Sequence, residues 1–121
     1  MTFAPLFDTL SASSAVKALI GASPVRCYPA GEAPQGVALP YCTYQQITGQ
    51  SEKYLGDLPD MDSGNIQIDI YAKTTKAARA VAIAIRDAIE PVAYADISEG
   101  GKDPTTNNVR ITIESDWLTP R

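Results

Sequence analysis

The 121 residues include no histidine. The usual general base near neutral pH and the commonest transition-metal ligand are therefore both missing. Ser–His and Cys–His nucleophile pairs are impossible within this chain. What remains for chemistry is thiols, carboxylates and one glycine-rich run. Cys27 and Cys42 flank a Pro/Gly loop, and strands bracketing that loop could bring them close. Two thiols without histidine are too few for a standard zinc site, and reduced thiols are the expectation inside a cell. Gly100-Gly101-Lys102 has the look of a phosphate loop, but the first glycine is missing at the required spacing, Asp103 replaces Ser/Thr and no helix follows. A hairpin turn accounts for it. Asp57, Asp60 and Asp62 near Gly64 suggest calcium. The EF-hand order fails, because Gly64 holds the fifth position and Tyr71 the twelfth. A solvated acidic loop is the better account. Asp69 and Glu114 would form a carboxylate pair if their strands were neighbours, but without a cleft they are expected simply to face solvent or a subunit. No catalytic residue, cofactor or metal site is expected, and the chain does not read as an enzyme.

The elements that must position these residues are most legible between Asn65 and Glu90. Ile66, Ile68, Ile70 and Ala72 alternate with Gln67, Asp69 and Tyr71, which predicts a half-buried strand. At Lys73-Thr74-Thr75 the period changes. Ala77, Ala80, Val81, Ala84, Ile85, Ala88 and Ile89 recur at three- and four-residue spacing, which predicts a helix with a small, close-packing face. Thr74 or Thr75 can cap it, and Pro91 stops it. Pro5 to Ile20 reads as helix in two pieces, broken and recapped at Ser11-Ala-Ser-Ser and ended by Gly21. Strands are expected at Val25–Tyr28, Tyr41–Thr48, Val92–Ser98 and Asn108–Trp117. The last two should be joined as a hairpin through the turn residues from Glu99 to Asn108. Gly49–Gly64 is expected as a long polar loop, with a short strand near Glu52–Leu55. Loops of that length are usually functional or disordered. Tyr41 and Tyr71 fit either the outer strand faces or the core under the N-terminal helix. The fold class is α+β: one domain spanning residues 1–121, with helices packed on a mostly antiparallel sheet in the order helix, strands, helix, strand hairpin.

Read together, Tyr28-Pro…Ala33-Pro-Gln-Gly, Pro40-Tyr-Cys-Thr-Tyr-Gln and Gln67-Ile-Asp-Ile-Tyr-Ala, followed by the Ala77-Ala-Arg helix and a C-terminal strand pair, resemble the tail-completion family of long-tailed bacteriophages, the tail-terminator or head–tail joining proteins. The order matches across nearly the whole chain; the Asp57–Asp62 segment lies outside the matching motifs. The resemblance implies a structural role without covalent chemistry. The protein would form a homo-oligomeric, hexameric ring at the head-proximal end of a phage or phage-like tail. It would end growth of the tube and join the tail to the head connector. Its partners would be further copies of itself, the tail tube protein and the head–tail connector or stopper protein, and DNA would pass through without specific binding. The particle would be a phage, a prophage or a domesticated transfer particle assembled in the cytoplasm of its host.

The residues themselves suggest where contacts would fall. On the second predicted helix, Arg79, Ile83 and Arg86 lie away from the apolar stripe, and Ile83 would centre a contact with a charged rim. In the long loop, Tyr54, Leu55, Asp57, Asp60 and Asp62 are the expected subunit or tube contacts. Composition agrees without deciding the matter. Hydrophobic residues make up 45% of the chain, charged residues 20%, and the net charge is −4. An acidic chain lacks the basic footprint of a dedicated nucleic-acid binder. The apolar runs are too short for a membrane span, and the N-terminus has no basic region of a signal peptide. A different class fits the same composition: a small-molecule or regulatory binding domain outside any particle.

Overall fold

The computed structural model describes residues 6–21, 25–51, 61–102, 104 and 106–120. Two short helices open it, α1 (Leu6–Ser11) and α2 (Ser14–Ile20). The break between them is chemical: the Ser13 hydroxyl accepts the Val16 N–H at 3.2 Å and so starts the second helix. Gly21 ends it at φ +91°, a conformation that favours glycine. β1 (Cys27–Pro29) and β2 (Tyr41–Ser51) follow, then β3 (Met61–Ala72), α3 (Thr75–Ile89), β4 (Ala93–Lys102) and β5 (Val109–Pro120).

The strands form one sheet in the order β1-β2-β3-β5-β4. β1 runs parallel to β2 and the remaining pairs are antiparallel. The sheet is therefore mostly antiparallel, as expected, with one parallel pair at its β1 edge, and the N-terminal helix is in two pieces ahead of α3, also as expected. The parallel pair arises because the chain between β1 and β2 must cross back along the sheet edge instead of turning tightly.

All three helices lie against one another, and α3 packs on β3, β4 and β5. Beneath them, Ile66, Ile68, Ile70 and Ala72 of β3 meet Val109, Ile111, Ile113 and Trp117 of β5, all buried. Period-two alternation is thus realised as read. Thr74 caps α3, its hydroxyl accepting the Ala77 N–H at 3.1 Å. The helix face, however, is turned from the one expected. Ala78, Val81, Ala82, Ile85 and Ile89 are buried, Ala77, Ala84 and Ala88 flank them half-buried, and Ala80 is exposed. Neighbouring alanine rows look alike in composition. The two N-terminal helices packed beside α3 decide which row is covered.

Strand limits also differ from the expected ones. β2 continues to Ser51 and β3 begins at Met61, so much of the expected Gly49–Gly64 loop is paired backbone. The bridging residues, including the short strand expected near Glu52–Leu55, lie outside the described residues. β1 covers Cys27–Pro29 rather than starting at Val25, although Val25 is buried beside it. β4 runs through Glu99-Gly-Gly-Lys, which was expected to turn. A bulge between Glu99 and Gly101 absorbs the glycines, with Gly101 at φ +74°.

Candidate interaction surfaces

The outward row of α3 carries three of the expected contact residues. Four- and three-residue spacing from Arg79 to Ile83 to Arg86 places them on one side of the helix. Arg79 Nε is ion-paired with Glu99 Oε1 of β4. This row therefore overhangs the β4 edge of the sheet. Its hydrogen bond to Arg79 holds the Glu99 carboxyl below the ordinary value, and the same bond raises Arg79. Arg86 lies 3.4 Å through Nε from Glu90 and 3.7 Å through Nη2 from Asp87. Both arginines thus have a carboxylate at ion-pair distance, although the buried Arg86 Nε makes no hydrogen bond. Ile83 stands between them 48% exposed. At the start of β4, Val92 and Tyr94 are 54% and 70% exposed. β4 is also an edge strand, with one row of backbone groups unpaired by the sheet.

The sheet face away from the helices is the second surface. No described helix covers it. Tyr41 and Tyr71 stack there with ring centroids 5.1 Å apart, so both lie on the outer face rather than in the core. The same face carries Asp69, Asp96, Glu114 and Asp116. Asp96 and Glu114 are directly opposed across β4 and β5, a like-charge pair with no ion-pair partner among the described residues. Asn65 donates to Asp116 at 2.9 Å, and the Thr112 hydroxyl donates to Asp69 at 2.8 Å. Glu114 sits opposite Gln67, one step along from Asp69. The two acids therefore share a face without forming a dyad, and Asp69 is already held by a hydroxyl.

At one end of this face, Tyr71, Gly100, Gly101, Lys102, Pro104 and Arg110 line a pocket of about 320 Å³. Gly100 has a steric role: a Cβ there would stand 3.1 Å from Arg110 Nε and 3.2 Å from the Arg110 carbonyl oxygen. The glycine run that imitates a phosphate loop thus makes room for an arginine. Lys102 and Arg110 were not singled out from the sequence, nor was Glu99 as the partner of Arg79. Extending the β4 alternation through Ala95, Ile97 and Glu99 would have placed Glu99 toward the helices, but the turn-like residues after it masked that signal. Of the expected loop contacts, Tyr54, Leu55, Asp57 and Asp60 lie outside the described residues. Asp62 is described only through its strand pairing with Ser51 and Thr119. Among the described residues no cluster of metal-ligating side chains forms, and no helix is long and apolar enough to cross a membrane.

Among the described residues, this α+β domain thus presents a sheet face that no helix covers, an edge strand and an exposed helix row. The chain matches the family described as tail completion protein gp17 over residues 4–119 and belongs to it. It is a structural protein of phage tails. Its fold is shared with a chain of a solved structure entitled "Virion of native gene transfer agent (GTA) particle", at TM-score 0.63 and 16% identity, over 96% of this chain and 92% of the other. No curated protein matches the sequence significantly.

Proposed function

We propose that this protein closes into a ring, six subunits in number, at the head-proximal end of a tail tube, where it ends tube growth and joins the tail to the head connector. The particle would be a phage or a gene transfer agent. The protein acts by assembly and catalyses nothing. The observation that carries this reading is the α3 row, with Ile83 exposed between two locally paired arginines beside an open sheet edge. A head-to-tail contact through such a patch repeats from subunit to subunit and closes when the rotation allows. The uncovered sheet face supports the passage of DNA without specific binding. Its carboxylates Asp69, Asp96, Glu114 and Asp116 repel phosphates, and phosphate contact needs lysine or arginine.

The test is Ile83→Asp. Position 83 is on the exposed side of α3, so the monomer should keep its fold and its melting temperature. In a closed contact the substitution buries an unpaired carboxylate, at a cost of several kcal/mol per interface. Particles made with this variant should carry overlong tails, or heads and tails left unjoined, in negative-stain images. Normal, joined particles would remove α3 from the interface. The other class of reading, a small-molecule binding domain, would use the Lys102–Arg110 pocket and an anionic ligand. Solution size separates the two, since a six-membered ring elutes near six times 12.9 kDa.

A further inference from the structure

Cys27 and Cys42 belong to neither surface described above. They are direct partners in the parallel β1–β2 ladder. Both are free thiols, and both are buried on the core side of the sheet. Adjacent strands lie about 4.8 Å apart, and disulfides span Cα separations of roughly 4.4–6.8 Å. The Cα separation expected of paired neighbours therefore falls within the range a disulfide can span. β1 is an edge strand of only three residues. It is held to β2 where Cys42 N–H donates to the Arg26 carbonyl at 3.0 Å and Ala30 N–H donates to the Tyr44 carbonyl at 2.8 Å. Short edge elements open locally far more easily than a whole fold unfolds.

We propose that Cys27 and Cys42 are a latent disulfide, open when the protein folds and closed later, when it meets an oxidising medium containing a small-molecule disulfide. The exchange balances. One cysteine thiolate attacks the small disulfide, forms a mixed disulfide and releases one thiolate. The second cysteine thiolate then attacks the protein sulfur of that mixed disulfide. The Sγ–Sγ bond forms and the second small thiolate leaves. The two protons lost by the cysteines end on the two released thiols, and the oxidant is reduced by two electrons. Closure is slow in the folded protein for a physical reason. The hydrogen bond with Cys27, and then burial, push the Cys42 thiol well above its usual value, so little Cys42 thiolate is present while β1 stays in place. The thiols can thus survive synthesis inside a cell, whereas a tail protein is then carried outside, where disulfides persist. The bond would tie the edge strand to β2 across the intervening loop and stiffen that margin of the sheet.

Purified, folded protein incubated with oxidised glutathione, then unfolded and alkylated, tests this independently of any ring. The expected product is monomeric on a non-reducing gel, carries no alkylated cysteine and is about 2 Da lighter than the reduced chain. Its Tm should rise by roughly 5–15 °C. Cys27→Ser and Cys42→Ser should stop at a single glutathione adduct with no such gain. Two cysteines still alkylated after prolonged exposure, or bonds formed only between chains, would overturn the proposal. If a serine variant folds poorly, the mass and melt of the unsubstituted protein decide it.

Discussion

Ser115 shows how much one side chain can depend on strand period. It occupies an inward position of β5, between Ile113 and Trp117, where every neighbour on that face is apolar. Its hydroxyl accepts the Trp117 indole N–H at 2.9 Å and donates to the Ile66 carbonyl at 3.0 Å. A buried polar group is tolerated only when it is bonded in this way. Ser115→Ala should leave the indole N–H without a partner in the core and lower stability by about 1–3 kcal/mol, read from urea unfolding. A change near zero would mean that water or a shifted indole replaces the hydroxyl. Arg26 does related work half-buried. Its guanidinium donates to the Pro40 carbonyl at 3.0 Å and to the Leu19 carbonyl at 3.3 Å, tying the loop before β2 to the last turn of α2, where a cation suits the helix dipole.

The helices are joined to the sheet mainly through α3. Its buried row runs through Ala78 and Ala82, which let the helix approach the sheet closely. Ala82→Leu should therefore overpack the layer and cost roughly 1–3 kcal/mol. Ala84, half-buried on the flank, should accept leucine at distinctly lower cost. Thermal melts of the two variants compare them directly, and equal shifts would contradict the observed helix rotation. The opposite side of α3 is tied to β4 by the exposed Arg79–Glu99 pair. Such a pair adds little stability, but it fixes the helix row over the sheet edge and so gives Ile83 a defined setting.

Across the molecule, the two faces of the sheet differ. One is packed against helices; the other carries Lys102 and Arg110 at one end and, further along, the opposed Asp96–Glu114 pair. Like charges placed directly opposite cost stability, and a surface that keeps them is suited to repelling an anionic polymer. Reversing both, with Asp96→Lys and Glu114→Lys, should change the behaviour of the whole protein. The starting protein should not retard duplex DNA in a gel. The double variant should do so at low salt and lose the effect as salt rises, since counterion release governs such binding. Unchanged mobility would show that this face contributes no electrostatic barrier.

How much of this was legible beforehand depends on the range of the physics involved. The β3 alternation, a cap at Thr74 or Thr75, the break and recap within Ser11-Ala-Ser-Ser and the apolar positions of β5 follow from local periodicity and local hydrogen bonding. They could be read from adjacent residues alone. So could the family resemblance, which is an order of short motifs. The rotation of α3, the Arg79–Glu99 pair, the Tyr41–Tyr71 stack and the meeting of Cys27 with Cys42 depend on which elements become neighbours. Each joins residues far apart in the chain, and side-chain period cannot say which strand will lie beside which. The turn-like Glu99-Gly-Gly-Lys run became strand for the same reason: β5 offered it a ladder, and a bulge at Gly101 let the glycines fit. Local chemistry chose the elements, and only their packing chose the faces on which function can act.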